Sequence, residues 1–311
     1  MAPYVTSGAK LRVAYVAETT PGTTPTTPSF TKLPVTGGNM SASKIAQPVK
    51  AVFGDRMYRD APQAGQGASG SYNFAFANGQ WDDILAAALF GTWSTNVCSN
   101  GTTRQSFTLE ETEDVGGGSS LFSRYPMSFV DEFSLDVSAG KEITGAAKFW
   151  AQQEVKATTA ISGATYAAPA NYPVMSAGVS PIVTSIFGLT TPKVRSIKLS
   201  IKNTLRSRMV VDSLYSVEPG EELSEITGSV EIYVDSNAAM SAVLAHTSGA
   251  VNFKIGNAAN YRYQFNMPNA IMLDGRRANS GPNGDGIATI PFQALWDSGT
   301  GEQLVVTRLT T

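Results

Sequence analysis

The chain contains the same local pattern twice, and this repetition constrains its fold more than any other feature of the sequence. In the first occurrence, Gly70–Leu89, three aromatic residues alternate with small or polar ones and predict a strand with one buried face: Tyr72, Phe74 and Phe76. The apolar residues that follow are spaced as on one face of a short helix: Trp81, Ile84, Leu85, Ala88 and Leu89. A strand, a tight turn and a short amphipathic helix therefore form one unit.

The ends of this first helix are also marked in the sequence. Asn78 is a candidate helix cap, and Asp82 and Asp83 place negative charge in the first turn, where the helix dipole favours it. Gly91 then ends the segment. We therefore expect a helix at about 80–90.

The second occurrence lies at Gly228–Leu244. Val230, Ile232 and Val234 alternate 158 positions after Tyr72, Phe74 and Phe76, and a cap candidate follows at Asp235 or Ser236. The helical stripe returns 155 positions after its first copy and predicts a helix at about 236–246: Ala239, Met240, Val243 and Leu244. Strand–turn–helix units are common enough for two to align by chance, so the flanking segments decide between chance and duplication.

The flanking segments favour a tandem duplication. Pro268 lies 142 positions after Pro126, and Phe292 lies 143 positions after Phe149, so matched elements recur in the same order. We therefore predict a mainly β protein with two tandem β-sandwich or barrel domains, each with a short flanking α-helix. The expected division is an N-terminal arm with the first strand at 1–34, a first domain at 35–155, a connector at 156–190 and a second domain at 191–311.

The composition narrows the classes of function. Only 15% of the residues are charged and the formal net charge is −2, so a tight grip on nucleic acid is not expected, whereas a surface covered by copies of the same chain is. Cys98 is the only cysteine, which excludes an internal disulfide framework and fits a chain made in a reducing cytoplasm. We expect no membrane span, because no apolar run approaches about 18 residues.

Two polar stretches are predicted to lie outside regular structure. The Thr/Pro-rich run at 18–30 cannot be helical, and its prolines favour an extended arm or an irregular loop. An arm would pack on a neighbouring subunit, and a disordered tail is the alternative. The acidic run at 110–114, together with the glycines at 116–118, is expected to form a loop.

Two long loops, 44–68 and 203–227, are the candidate contact surfaces. Each combines an apolar patch with arginines and acids, which is the composition of a partner interface with a charged rim. We expect these loops to lie between subunits or between stacked rings, through a set of apolar and basic residues: Phe53, Arg56, Met57, Tyr58, Arg59, Arg206, Arg208, Val211, Leu214 and Tyr215.

The sequence favours no enzymatic function. Asp82 and Asp83 are adjacent on a helix and point apart, and His246, the only histidine, is expected at a helix end without a nucleophile motif. One histidine and one cysteine cannot form a usual zinc site, and we interpret the loop at 275–286 as a hairpin turn instead of a calcium loop. The run at 65–70 matches GxGxxG but precedes a strand, so no dinucleotide site is predicted. We expect no catalytic, cofactor or metal residues.

Three sequence runs also carry a resemblance to a known family. AYVAETTPGTTPTTPSFTKLPVTGGNMS, then GDRMYRD, then SGSYNFAFANGQWDDILAAALFGTW resemble the tail tube proteins of long-tailed bacteriophages. The resemblance covers the N-terminal arm and first domain and extends weakly over the rest. It implies a small tail-tube-type β-sandwich with one flanking helix, which forms rings that stack into a hollow tube.

The resemblance also implies a set of partners and a place in the virion. The chain would be made in the host cytoplasm, would assemble with itself, and would meet the tape measure, tail terminator and distal tail proteins. DNA would pass through the lumen without specific binding. Two domains per chain predict a trimeric ring with pseudo-sixfold symmetry; a plain hexamer is the alternative. Since bound cations would trap phosphate, we expect a net negative lumen.

A second class of function stays open at this point. A monomeric β-sandwich adhesin or carbohydrate-binding module would also be mainly β and would carry no catalytic motif. It requires exposed aromatic residues grouped on one face. The four tryptophans are scattered along the chain and mostly fit core or strand positions: Trp81, Trp93, Trp150 and Trp296.

Overall fold

The computed structural model of the chain describes residues 8–178, 183–189, 192–256, 261–279 and 284–309. Within these residues the protein is mainly β with two short α-helices, as the alternating patterns predict. The tip of the loop at 275–286 lies partly outside the described residues, but its flanks, Arg276–Asn279 and Gly286–Ala294, pair as an antiparallel hairpin.

The first half of the chain contains a 3-10 turn at Gly8–Lys10, ten strands and one helix. In chain order these are β1 (Leu11–Ala17), β2 (Ser29–Leu33), β3 (Gly37–Ala46), β4 (Gln63–Ala75), α1 (Asp82–Ala88), β5 (Val97–Ser99), β6 (Phe107–Gly116), β7 (Ser119–Ser138), β8 (Thr144–Ala151), β9 (Val155–Ala157) and β10 (Thr165–Ala167).

The described part of the second half contains ten further strands and the second helix. They are β11 (Val183–Ile186), β12 (Val194–Lys202), β13 (Arg206–Met209), β14 (Ser216–Gly220), β15 (Glu225–Tyr233), α2 (Ala238–Leu244), β16 (Ser248–Ile255), β17 (Arg262–Met272), β18 (Arg276–Asn279), β19 (Gly286–Ala294) and β20 (Val305–Leu309).

The main strands of the two halves pair in the same order. In the first half the antiparallel order is β3–β4–β8–β7–β6–β1. In the second half it is β12–β15–β19–β17–β16–β11, and β18 continues β17 along β19. The additional strands differ: β2, β9 and β10 flank the first half, and β20 pairs with both β17 and β5.

The two halves share their strand registers in addition to their strand order. Phe107 pairs with Ser128 and Leu109 with Tyr125, with a register shift between the two pairs. Their counterparts 142 positions later pair in the same way, Gly249 with Ala270 and Val251 with Met267, again with a register shift between them. The two halves therefore share an irregularity as well as their regular ladders.

One strand pair joins the halves into a continuous sheet. The C-terminal part of β7 pairs with β12, with Leu135 opposite Leu199. This sheet has eight strand positions, in the order β3–β4–β8–β7–β12–β15–β19–β17/β18. The last position is shared by β17 and β18, which pair with successive parts of β19. The N-terminal part of β7 pairs with β6 and β9 in the other sheet, so this strand of 20 residues belongs to both layers.

The two helices lie where the sequence pattern places them but differ in burial. In α1 all residues except Asp83 are buried, and Trp81 at its N-cap stacks on Phe74 with ring centroids 4.0 Å apart. In α2 only Ala239 is buried. The N-cap residues are Trp81 and Asn237, and neither makes a side-chain capping hydrogen bond, so the caps expected at Asn78 and at Asp235 or Ser236 are wrong. Ser236 Oγ nevertheless accepts a hydrogen bond from the Ala238 amide at 3.4 Å.

One loop prediction is also wrong, and a second is decided in favour of one of its alternatives. The acidic run Glu110–Asp114 lies within β6, because its carboxylates find partners inside the fold. The Thr/Pro-rich run is an irregular loop that connects the paired strands β1 and β2, which was one of the expected alternatives, and it forms neither an arm nor a tail. It packs on its own chain, where Glu18 accepts hydrogen bonds from Thr108 Oγ1 at 2.7 Å and from the Met127 amide at 3.0 Å.

Candidate assembly surfaces

The first long loop is shorter than predicted, because its flanks extend the β3–β4 hairpin. Ala46 pairs with Gln63, so the segment outside the hairpin is 47–62 instead of 44–68. The GxGxxG run at 65–70 lies inside β4, which agrees with its rejection as a dinucleotide loop.

The tip of this loop presents large apolar side chains to solvent. Phe53 is 57% exposed, and Met57 and Tyr58 are exposed to a similar degree. Arg59 holds the tip together: its guanidinium lies 4.1 Å above the Phe53 ring, and its Nη2 is 2.6 Å from Asp55 Oδ2. Arg56 is exposed beside them, with φ at 60°. An apolar patch held in place by a surface ion pair is typical of a contact surface.

The second long loop contains a small hairpin that the sequence pattern did not reveal. β13 and β14 pair with each other, and Arg208 Nη1 lies 2.6 Å from Glu218 Oε1 across them. At the hairpin tip Val211 is 98% exposed, whereas Leu214 is less exposed and Tyr215 is partly buried. Arg206 is exposed on β13.

This hairpin also packs against the first half of its own chain. The Leu214 carbonyl accepts a hydrogen bond from the Gln66 amide at 2.8 Å, and Ser207 Oγ accepts one from Trp150 Nε1 at 3.1 Å. Arg104 donates to the Pro219 carbonyl at 2.9 Å. The structure thus places both loops on one side of the molecule, with the second bound to the chain and the tip of the first free.

Two buried carboxylates in β6 form polar clusters that the sequence analysis missed. The Glu110 side chain is fully buried and accepts from Arg124 Nε at 2.8 Å and from Tyr166 OH at 2.7 Å. Arg12 lies 3.5 Å from the same carboxylate and 3.7 Å from the Tyr166 ring centre. The partners are distant in sequence, which is why the acidic run resembled a loop.

Glu111 has a different environment. Its Oε1 accepts from Tyr72 OH at 2.6 Å and from the Met40 amide at 2.8 Å, and Tyr125 OH lies 3.4 Å from its Oε2. Burial raises the pKa of the Glu111 carboxyl. The hydrogen bonds from Tyr72 and Met40 lower this pKa, but by less than burial raises it. Among the described residues no basic side chain pairs with Glu111.

A third polar cluster ties the two halves together. Asp82 at the start of α1 accepts from Tyr263 OH on β17, and Arg308 Nη2 on β20 lies 2.6 Å from its other oxygen. Burial raises the pKa of Asp82, while the Tyr263 hydrogen bond and the Arg308 charge oppose this shift. Asp82 is thus a structural residue, and Asp83 accepts separately from Tyr15 OH at 2.8 Å.

The continuous sheet has a polar face opposite its buried face. Strand alternation places basic and acidic residues together on it: Lys148, Lys198, Lys202 and Arg276, with Glu132, Asp136, Glu225 and Glu231. Arg195, at the register shift in β12, lies 3.7 Å from Glu231. Lys198 Nζ lies 3.7 Å from Asp136, and Lys148 Nζ lies 2.7 Å from Asp131 at the edge of this face. Its charges are therefore largely paired.

The other candidate residues occupy structural positions. His246 follows α2 with φ at 50°, and burial raises the pKa of the Cys98 thiol to about 11. In the part of the chain that the structure describes, there is no group of three or more metal-ligating side chains. The described helices are all too short or too polar to cross a membrane.

Comparison with known proteins gives one clear match. The sequence profile of the family described as phage tail tube protein matches residues 8–294, which is most of the chain and includes both halves. None of the curated proteins compared with the chain matches it. The mainly β sandwich and the match over nearly the whole chain agree with the resemblance found in the sequence. The chain belongs to the phage tail tube protein family and is a structural component of a bacteriophage tail.

Proposed function

We propose that the protein assembles with itself into rings, and that the rings stack into the hollow tube through which DNA leaves the virion. The observation that carries this proposal is the edge-to-edge joint between β7 and β12, which links two halves of like strand order into one sheet. A ring requires such a joint to be repeated until it closes. The family match supports the same conclusion.

We propose further that the halves are tandem copies of one tube domain. Their shared strand order, registers and register shift support this. Because β1 and β11 belong to the shared order, the proposed copies extend to about 11–157 and 183–309. Three chains would then supply six domains to a trimeric ring with pseudo-sixfold symmetry, against a hexamer of chains.

We assign the polar face of the continuous sheet to the lumen. Its mixture of acidic and basic residues differs from the net negative lining expected from the sequence. The lysines on this face would hold DNA only weakly, because a neighbouring carboxylate already neutralises the charge of Lys198 and of Lys148. The loops at 47–62 and 203–224 would then lie at contacts between subunits or rings. The tape measure, tail terminator and distal tail proteins are the proposed further partners.

Electron microscopy of the purified protein tests the proposal. Rings or tubes are the expected result, and native mass spectrometry of the rings distinguishes three chains from six. Particles that stay monomeric over a wide concentration range would contradict self-assembly. The tryptophans give a monomeric carbohydrate-binding module little support, because only Trp296 among the four has a largely exposed side chain, at 63%.

A further inference from the structure

The eight-position sheet ends in two open edges. Among the described strands, β3 pairs only with β4, and β18 pairs only with β19. In the shared strand order β3 corresponds to β12, and β18 corresponds to the C-terminal part of β7. The counterparts of the two open edges, β12 and β7, are therefore the two strands that pair with each other inside the chain.

The joint inside the chain supplies a register for the open edges. Leu199 on β12 lies opposite Leu135 on β7. Met40 corresponds to Leu199, since they pair with the equivalent glycines Gly70 and Gly228. Arg277 corresponds to Leu135, 142 positions earlier, since Arg277 pairs with Ala288 as Leu135 pairs with Gly145. The equivalent joint between two copies of the whole chain would place Met40 of one copy opposite Arg277 of the next.

The chemistry on the β3 side fits an arginine. Met40 turns its backbone N–H and C=O away from β4, towards Glu111 and Tyr125. Beside this edge is a cavity of about 540 Å³ whose lining includes Glu111, Glu113 and Glu154. Lys156 also lines it and lies 3.7 Å from Glu154, so two of the three acids have no lysine partner among the described residues. The Glu111 carboxylate is buried without a basic partner in the described chain, and its Oε2 retains the capacity to accept further hydrogen bonds.

The corresponding place at the joint inside the chain is apolar. Tyr72, Glu111 and Tyr125 correspond to Val230, Phe253 and Met267, which are all buried. Leu135 itself is buried on this side of the sheet, so a residue in its position points to the same side. Arg277 is exposed and makes no ion pair among the described residues. At the joint inside the chain both contacting surfaces are apolar. At the open edges their counterparts are a polar pocket beside β3 and, on β18, an arginine without an ion-pair partner among the described residues.

We propose that β18 of one copy pairs with β3 of the next in the register of β7 and β12, and that Arg277 enters the acidic pocket and binds Glu111. The Met40 amide, released from Glu111, then donates to the backbone of the adjoining β18. This joint is heterologous, so it propagates around a ring. The inference rests on the proposed self-assembly and adds its register and its ion pair.

Variants that each carry one added cysteine test the register; Cys98 stays in all of them and is buried, so it does not compete for the cross-link. Asn39 lies opposite Ala278 in the proposed joint, and both side chains are exposed in the single chain. Asn39→Cys mixed with Ala278→Cys should form a disulfide-linked dimer under mild oxidation, because directly opposite residues in antiparallel strands are close enough to bridge. Ser41→Cys mixed with Ala278→Cys is two residues out of register and should cross-link at least about tenfold less. Equal cross-linking of the two mixtures would overturn the register.

Neighbouring arginines test the ion pair. Arg277→Ala should raise the concentration needed for assembly about tenfold or more, because the loss removes a charge-assisted hydrogen bond. Arg276→Ala is the matched control, since alternation turns Arg276 to the polar face, and it should assemble nearly as the parent does. Both residues are exposed, so circular dichroism and thermal unfolding of the single chains should match.

The outcomes separate this joint from the proposed function. Rings that form without the Asn39–Ala278 cross-link overturn the joint and leave self-assembly standing. Equal assembly of the Arg277→Ala and Arg276→Ala variants overturns the ion pair. A parent protein that forms no oligomer under any condition overturns both proposals.

Discussion

The two halves of the chain share a strand order but differ in how firmly each holds its helix. Leu89, just after α1, is 2% exposed, whereas its counterpart Leu244, 155 positions later, is 85% exposed. Trp81, which fixes α1 by stacking on Phe74, corresponds to Ser236. A repeated fold therefore does not require repeated packing: one helix is part of the core, and the other leaves an apolar surface open.

The largest effect is expected where this difference is greatest. Leu89→Ala should lower the free energy of unfolding by about 2–5 kcal/mol, because it opens a cavity in a closed core. Leu244→Ala should change it by less than about 0.5 kcal/mol. Urea denaturation of dilute, unassembled protein measures both values. Similar losses for the two variants would show that α2 is as firmly packed as α1.

A second pair of variants examines what the halves have in common. A Cβ at Gly70 would lie 2.2 Å from the Asn39 carbonyl oxygen, and one at Gly228 would lie 2.4 Å from the Lys198 carbonyl oxygen. Since both positions press a strand against its neighbour, Gly70→Ala and Gly228→Ala should each cost about 1–3 kcal/mol. The same denaturation experiment applies. A loss at only one position would weaken the correspondence of the β3–β4 and β12–β15 ladders.

The pH dependence of stability should separate the halves at Glu111, whose counterpart is the non-ionisable Phe253. Burial raises the folded-state pKa of Glu111, so its contribution to stability is complete below the unfolded-state pKa and is lost as pH rises through the folded-state pKa. Wild type should therefore lose stability relative to Glu111→Gln as pH increases. The loss should be about 1.4 kcal/mol for each pH unit that separates the folded-state pKa from the unfolded-state pKa.

Denaturation midpoints of both proteins across the acidic range check this prediction. Asp82, whose pKa is also raised by burial, is present in both proteins, so the difference between them isolates Glu111. A difference that stays constant with pH would show that the Glu111 carboxyl titrates normally.

The smallest effect on folding is expected at the exposed loop. Phe53→Ser combined with Tyr58→Ser should change the free energy of unfolding by less than about 0.5 kcal/mol, because both side chains are in solvent. The same variant should nevertheless fail to form tubes if the loop at 47–62 is a contact surface. Val211→Ser is the comparison in the second loop. Normal tubes from the Phe53/Tyr58 variant would exclude the tip of the first loop from assembly.

The elements with clear alternation were predictable from the sequence. Tyr72 and Phe74 were expected on a strand with one buried face and are buried on β4, and both helices fall within the expected ranges. These predictions succeed because each segment displays its buried face within a few residues. The mainly β class and the family followed from the same segments.

The parts that sequence reasoning missed depend on contacts distant in sequence. Acids at the middle of a strand resemble a loop until Arg12 and Arg124 are seen to meet Glu110. The β13–β14 hairpin has little apolar alternation and is held by Arg208, Glu218 and its contact with the first half. The two open edges could not be read from the sequence at all, because they follow from which strands find partners.

The pairing of β7 with β12 also has a kinetic consequence. Both strands belong to one chain, so they meet at a high effective concentration that dilution does not change. A joint between separate molecules forms in a second-order step. Its rate is proportional to the square of the protein concentration, so it decreases steeply on dilution. A chain with two halves thus completes one of its joints while it folds, before it meets another molecule.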